Sequence, residues 1–209
     1  MSLITFPSVI PTSAGFRCNY VIAESVSPFS LTSQVYDWGG SRWEGEMTFE
    51  TFAYDKPDER AELKAFISSL KGKANVFNYG DPEYLQFGNR GVATGTPLVK
   101  GGSQTGVTLE TDGWTTGVTG IVKAADYIQL GTGVNAELYQ VIADADSDGS
   151  GNATLTLNRP LITSPSDNAA IVVTGAKGVF RLAENATGWD ADSTGRSRIV
   201  LPFVEALNG

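Results

Sequence analysis

A mainly β protein carrying one helix is what this sequence of 209 residues predicts, and three observations predict it. Arg42 to Glu50 alternates large apolar with polar residues at period two, the pattern of a strand with one buried face. A single stripe at helical spacing, Leu63, Phe66, Ile67 and Leu70, stands at i, i+3, i+4 and i+7, as a half-buried helix requires. From Gly88 to about Gly178 glycine becomes dense, charges thin out and short Val/Thr/Leu runs alternate with turn residues, the texture of a small all-β unit, barrel or sandwich.

The strand before the helix turns Trp43 and Phe49 inward and leaves Glu44, Glu46 and Glu50 on its wet face. The helix spans about Pro57 to Leu70: Asp55 or Asp58 can accept from first-turn amides, Pro57 needs no partner there, and Gly72 suits a left-handed stop. Asn75 to Tyr79 reads as a short strand that ends at the turn signal Gly80-Asp81-Pro82. Strand candidates in the glycine-dense section are Gly106–Leu109, Tyr127–Leu130, Leu138–Ile142, Ala153–Leu157 and Ala170–Val173. Longer strands return at Val179–Leu182 and Arg198–Ala206.

This order predicts two units. Residues 1–88 with 179–209 form a β domain with the helix, and residues 89–178 form a small all-β domain inserted into it. A final strand after an insertion has to pair somewhere, and pairing with the early strands buries its apolar face. Two domains in tandem remain the alternative.

Composition narrows the chemistry. There is no histidine, which removes imidazole acid/base catalysis, His-activated nucleophiles and His-ligated metals. The lone Cys18 cannot close an internal disulfide and, lacking a neighbouring base, reads as a small core residue. A net charge of -8 opposes attraction to nucleic acid or an anionic membrane surface. No segment has the length of apolar sequence a membrane span needs, and the expectation is a protein made in a cytoplasm.

Candidate sites each have a plain alternative. Asp144, Asp146 and Asp148 followed by Gly149 open like a calcium loop, but position twelve is Leu155 instead of a bidentate Glu, so a weak calcium site competes with an ordinary hairpin loop. Acid pairs for glycoside hydrolysis among Glu44, Glu46, Glu50, Asp55 and Asp58 are not established by spacing. Trp38, Trp43, Trp114 and Trp189 read as core residues before a sugar platform. Arg196 and Arg198, in an otherwise acidic chain, are candidates to pair with carboxylates of a neighbouring subunit.

Several stretches, in order along the chain, are similar to the distal tail proteins of long, flexible-tailed bacteriophages. They are Ser27-Pro28-Phe29-Ser30, Gln34 to Gly40 with Trp43, the helix end Ala65 to Gly72, Phe77 to Pro82, Gly91 to Val99, Ala124 to Gly131 and Leu138 to Val141. The resemblance implies a virion component with no enzymatic activity and no cofactor. It would be a homo-oligomeric ring, usually of six copies, between the tail tube and the tip or hub proteins that bind the receptor. It also implies an outward-projecting small domain, often of OB-like topology, and Gly where this chain has Ala125. Trp38, Trp43, Arg196 and Arg198 are the expected interface residues. The competing expectation is a carbohydrate-binding module that contacts a cell surface through Trp114 or Tyr139.

Overall fold

The computed structural model describes residues 1–50, 57–186, 188–191 and 197–207. It is mainly β with antiparallel sheets. The chain runs β1 (Ser13–Val26), β2 (Ser33–Glu50), α1 (Pro57–Leu70), β3 (Phe77–Tyr79), α2 (Pro82–Phe87), β4 (Gly95–Val99), β5 (Thr108–Trp114) and β6 (Tyr127–Leu130). It continues through β7 (Glu137–Gln140), β8 (Ala153–Thr156), β9 (Ile171–Val172), β10 (Gly178–Leu182), β11 (Asp190–Ala191) and β12 (Ser197–Glu205).

The period-two stretch is the second half of β2, and its partners explain the pattern. On one side it pairs with β1, and on the other with β12, from Arg198 opposite Glu50 to Val204 opposite Glu44. The full order is β1-β2-β12-β10-β3, with β11 beside β12. The last strand thus sits between β10, its near neighbour in sequence, and β2, from the far end of the chain, and its apolar residues Ile199, Leu201 and Phe203 are buried. Met47, Phe49, Phe77, Phe180, Leu201 and Phe203 fill one face of this sheet. α1 covers it with the stripe read from sequence, Leu63, Phe66, Ile67 and Leu70, all buried. Burying side chains of this kind contributes roughly 1.5–3 kcal/mol each.

Close approach fixes one glycine here. A Cβ on Gly45 would run into the Gly15 carbonyl oxygen on β1 and the ring of Phe203, so the inner face of β2 is tight at its centre.

The helix stop departs from expectation by one residue. Lys71 is already left-handed (φ 50°), with Gly72 (φ 65°) after it, and Asn75 completes the end by donating its side-chain amide to the Ser69 carbonyl at 2.9 Å. Of the two cap candidates, Asp55 lies outside the described residues and Asp58 sits in the first turn. The turn signal at Gly80-Asp81-Pro82 opens a second helix, α2. Asp81 accepts from the amides of Glu83 (2.9 Å) and Tyr84 (3.2 Å), and Pro82 follows where no donor is needed.

Between α2 and β10 the chain builds two three-stranded sheets, β4-β5-β8 and β7-β6-β9. They enclose a second core of Val99, Leu109, Ile128, Tyr139, Val141 and Leu155 among others. Neither sheet closes on itself. Single bridges join their edges, Val141 to Leu157 on one side and Leu98 to Ala170 on the other. Hydrogen bonds cross between the start and the end of this stretch: the Asn89 side-chain amide donates both to Tyr127 O (3.1 Å) and to Val173 O (2.8 Å), and the Tyr84 hydroxyl donates to the same Val173 carbonyl (3.1 Å).

The buried carboxylate of Asp126 anchors this crossing by accepting from the amides of Arg90 (2.7 Å), Gly91 (2.9 Å) and Lys123 (2.7 Å). Just before it, Ala125 is left-handed (φ 75°), the conformation that favours glycine. An L-residue there carries about 1–2 kcal/mol of Cβ–carbonyl crowding. Glycine would return about 0.4–1 kcal/mol through its freer unfolded chain. Ala125→Gly is therefore expected to stabilise by up to about 1.6 kcal/mol, at most roughly 3–6 °C in a thermal melt; a lower melting temperature would mean that the turn is not strained.

Candidate interaction surface

The end of β1 and the start of β2 lie outside the sheet. The pairing of β2 with β12 stops at Glu44, opposite Arg17 of β1, and on the far side of that point β1 and β2 have only each other, continuing as a two-stranded ribbon out to Val26 opposite Ser33. The register shifts between Tyr20 and Ile22. On the facing strand Asp37 accepts from the Gly39 amide at 2.8 Å, and Gly39 is left-handed (φ 71°), a bulge that re-aims the ribbon away from the sheet.

At the tip the Ser27 amide donates to Thr32 O (2.9 Å) and the Leu31 amide to Ser27 O (3.0 Å), closing a tight loop. That loop leaves Phe29 98% exposed and Leu31 exposed beside it.

The ribbon is apolar yet uncovered. Tyr20, Val21, Ile22, Val26, Val35, Tyr36 and Trp38 are all exposed. Tyr36 and Trp38 lean on each other edge to face, 4.7 Å between centroids, on the side that also holds Ala23, which stands opposite Tyr36. A two-stranded ribbon is marginal in water by itself, and a contiguous exposed apolar surface marks an interaction site. The base is polar: Arg17 Nε donates to Glu44 at 2.9 Å, an exposed pair of small energetic weight.

At the other end of β1 lies a groove of about 590 Å³ between the N-terminal segment and α2. Phe6, Val9, Ile10, Pro11, Leu85 and Phe87 give it apolar walls, and Phe87 on its rim is 74% exposed.

Where the two cores meet, one buried ion pair joins them. Arg159, after β8, donates from both terminal nitrogens to Glu205 of β12, each at 2.5 Å, and from Nη2 to the Leu138 carbonyl at 2.7 Å. Trp43 adds its backbone amide to Glu205 (3.0 Å) and its indole N–H to Leu138 O (3.0 Å). The guanidinium lies over the rings of Tyr139 and Trp43, 5.2 and 5.9 Å from their centroids. Both charged side chains are nearly sealed from water, at 1% and 3% exposure. Burial by itself would pull the guanidinium down; the hydrogen bonds and charge of Glu205 outweigh it and hold it above its ordinary value.

The residues singled out from sequence separate clearly. Trp38 is 66% exposed on the ribbon. Trp43 is buried, so its indole faces the core and not a neighbouring molecule; it serves the lock just described. Arg198 is exposed on β12, opposite Glu50 and Asp190 in register, and Arg196 lies outside the described residues. Trp114 and Tyr139 are both buried. Trp114 donates to Thr111 Oγ1 (2.8 Å) and Tyr139 to Glu137 (2.6 Å), and neither ring face is open to a sugar. Trp189 is partly exposed under the Lys64 ammonium, 4.6 Å from its centroid.

The three loop aspartates do not converge on one point. Asp144 accepts from the Ala124 amide and Lys123, Asp146 from the Gly120 amide, and Asp148 from Ser150 and Asn152. These donors hold the carboxyls of Asp144 and Asp148 below the usual range. Among the described residues no group of three acids or cysteines gathers as a metal site. The Cys18 thiol is half-buried and pushed up by that burial, which keeps it a poor nucleophile at neutral pH.

Sequence reasoning missed the ribbon. Its signal was present: apolar residues on both sides of Ser27-Pro28-Phe29-Ser30, a turn-forming stretch. It missed Glu205 as well, because one acid among apolar strand residues does not announce a buried partner 46 residues away.

Arg159→Met strands a buried carboxylate and is expected to cost about 3–5 kcal/mol in urea unfolding. Adding Glu205→Gln to that variant should recover part of the loss, since no uncompensated charge then remains; equal stability of the two variants would contradict the lock. Burial, reinforced by the Asp81 charge, pushes Tyr79 up to about 12, and burial pushes Tyr127 and Tyr139 up as well. The unfolded chain ionises near pH 10 and so binds fewer protons than the fold above that value. Stability present below pH 10 should fall between about pH 10 and 12, with tyrosinate absorbance appearing together with unfolding.

Neither a comparison with protein-family models nor one with curated proteins finds a match to this chain.

Proposed function

We propose that this chain is a structural, non-enzymatic component of a bacteriophage tail tip: a homo-oligomeric ring, six copies in the resembling proteins, that adapts the tail tube to the hub and receptor-binding apparatus. The observation that carries this reading is the apolar ribbon of β1 and β2, a surface built to be covered by another protein chain. The stretches that resemble distal tail proteins include its tip, Ser27 to Ser30, and its aromatic strand, Gln34 to Gly40.

In this reading residues 1–88 and 179–209 form the ring, with Trp38, Arg196 and Arg198 at interfaces. Residues 89–178 are an inserted β unit that decorates it. The hydrogen bond from Asn89 to Val173, and a separate core, support the insertion. The edge-joining bridges support a barrel-like closure, and OB-like topology rests on the resemblance alone. The partners are further copies of the chain, the tube protein and the tip proteins, in the virion. The net charge of -8 argues against nucleic-acid recognition. No helix among the described residues is long and apolar enough to cross a membrane.

Light scattering on the purified full chain, with negative-stain imaging, tests the reading. A closed ring, formed alone or on adding the tube protein, is the expected result, and Trp38→Glu should weaken it at least tenfold. A chain that stays monomeric beside its tube protein and binds a glycan in an array would overturn it in favour of a carbohydrate-binding module.

A further inference from the structure

The exposed tip and the apolar groove lie at opposite ends of one strand. β1 starts at Ser13, which lines the groove, and ends at Val26, which leads into the tip. Thirteen strand steps separate them by roughly 45 Å. A knob and a hole held apart on a rigid strand cannot meet within one chain, but they can meet between copies. Repeating that contact gives a head-to-tail, heterologous association, the type that closes into rings when its rotation allows.

Chemistry matches at both ends. Ser27 to Thr32 carries no charge, so burying the tip removes no ion from water. It presents Phe29, the most exposed large apolar side chain described, with Leu31 beside it. The groove, about 590 Å³, falls in the size range that encloses a drug-sized apolar group. Its walls are Phe6, Val9, Ile10, Pro11, Leu85 and Phe87, with Glu83 and Lys177 as the charged lining residues. Ile10 is 86% exposed there, so both surfaces are wet and apolar in the single chain.

We propose that the β1–β2 tip of one copy, led by Phe29, seats in the groove between the N-terminal segment and α2 of the next copy. This rests on the ring reading and gives it a specific contact. Phe29 is the anchor, and the polar hydroxyls of Ser27, Ser30 and Thr32 form the wet rim around it.

The test uses the full chain with Cys18→Ser, so that introduced thiols are alone. Ser30→Cys and Gln86→Cys place one thiol at the tip and one on the groove wall, both at exposed positions. With both changes in one chain, mild oxidation should give a ladder of disulfide-linked species. A mixture of the two single variants should give dimers that each single variant alone does not. Phe29→Asp, a surface change that leaves the fold intact by circular dichroism, should reduce the ladder at least tenfold. An oligomer by light scattering whose residues 30 and 86 do not cross-link, or whose Ser30→Cys copies link to one another, would overturn this contact and leave the ring reading standing. A monomer with no cross-link, with or without the tube protein, would overturn both.

Discussion

One buried guanidinium holds the two cores of this protein in a fixed relation. Arg159 comes from the loop after β8, Glu205 from the last strand, Leu138 from β7 and Trp43 from β2, and their polar atoms close on each other with little water left. Such a pair gains less than its short distances suggest, because both ions first give up hydration. A placement of the middle segment that kept Glu205 sealed but withdrew Arg159 would leave a full charge buried without its partner, which costs far more than the pair gains. The Arg159 Nε has no hydrogen-bond partner, so the site is satisfied on the side that faces Glu205 and Leu138 and incomplete elsewhere. The rings of Trp43 and Tyr139 lie near the guanidinium carbon and contact the cation, but an in-plane Nε–H gains no acceptor from them.

Around that lock the sheet is paired strand to strand from β1 to β3. β2 is held on both sides through its second half and on one side through its first. The first half therefore projects as a continuation of a well-packed strand instead of a loose loop. Exposed aromatic and β-branched residues on such a support have less freedom left to lose on being covered, which lowers the ordering cost of any association. A flexible loop of the same composition has more to lose.

The sequence readings that succeeded share a cause. α1 came from four apolar residues on one stripe, and the second half of β2 from strict alternation, because each element packs one face on a core and leaves one face wet. The short middle strands were bracketed by glycine-rich turns. Failures share a cause too. The ribbon has no buried face, so Tyr20 to Trp38 carry no in-and-out pattern to read. α2 is a short helix, too short to show periodicity, and its only sign was the Asp81-Pro82 cap, which a turn uses equally well. Trp43 read as inward from the alternation yet also stood with Trp38 among the expected interface residues; the departure of β2 from β12 keeps Trp43 in the core and leaves Trp38 in water.

By itself the sequence determined the strand-rich class, the helix and its buried stripe, and the exclusion of imidazole chemistry, because composition and local periodicity record which side of an element meets water. Only the tertiary structure decided that β12 sits between β2 and β10, that Glu205 meets Arg159, and that apolar residues on β1 and β2 stand uncovered. Those outcomes depend on pairings between residues far apart along the chain, and the relative energies of such pairings leave no trace in any short window of sequence.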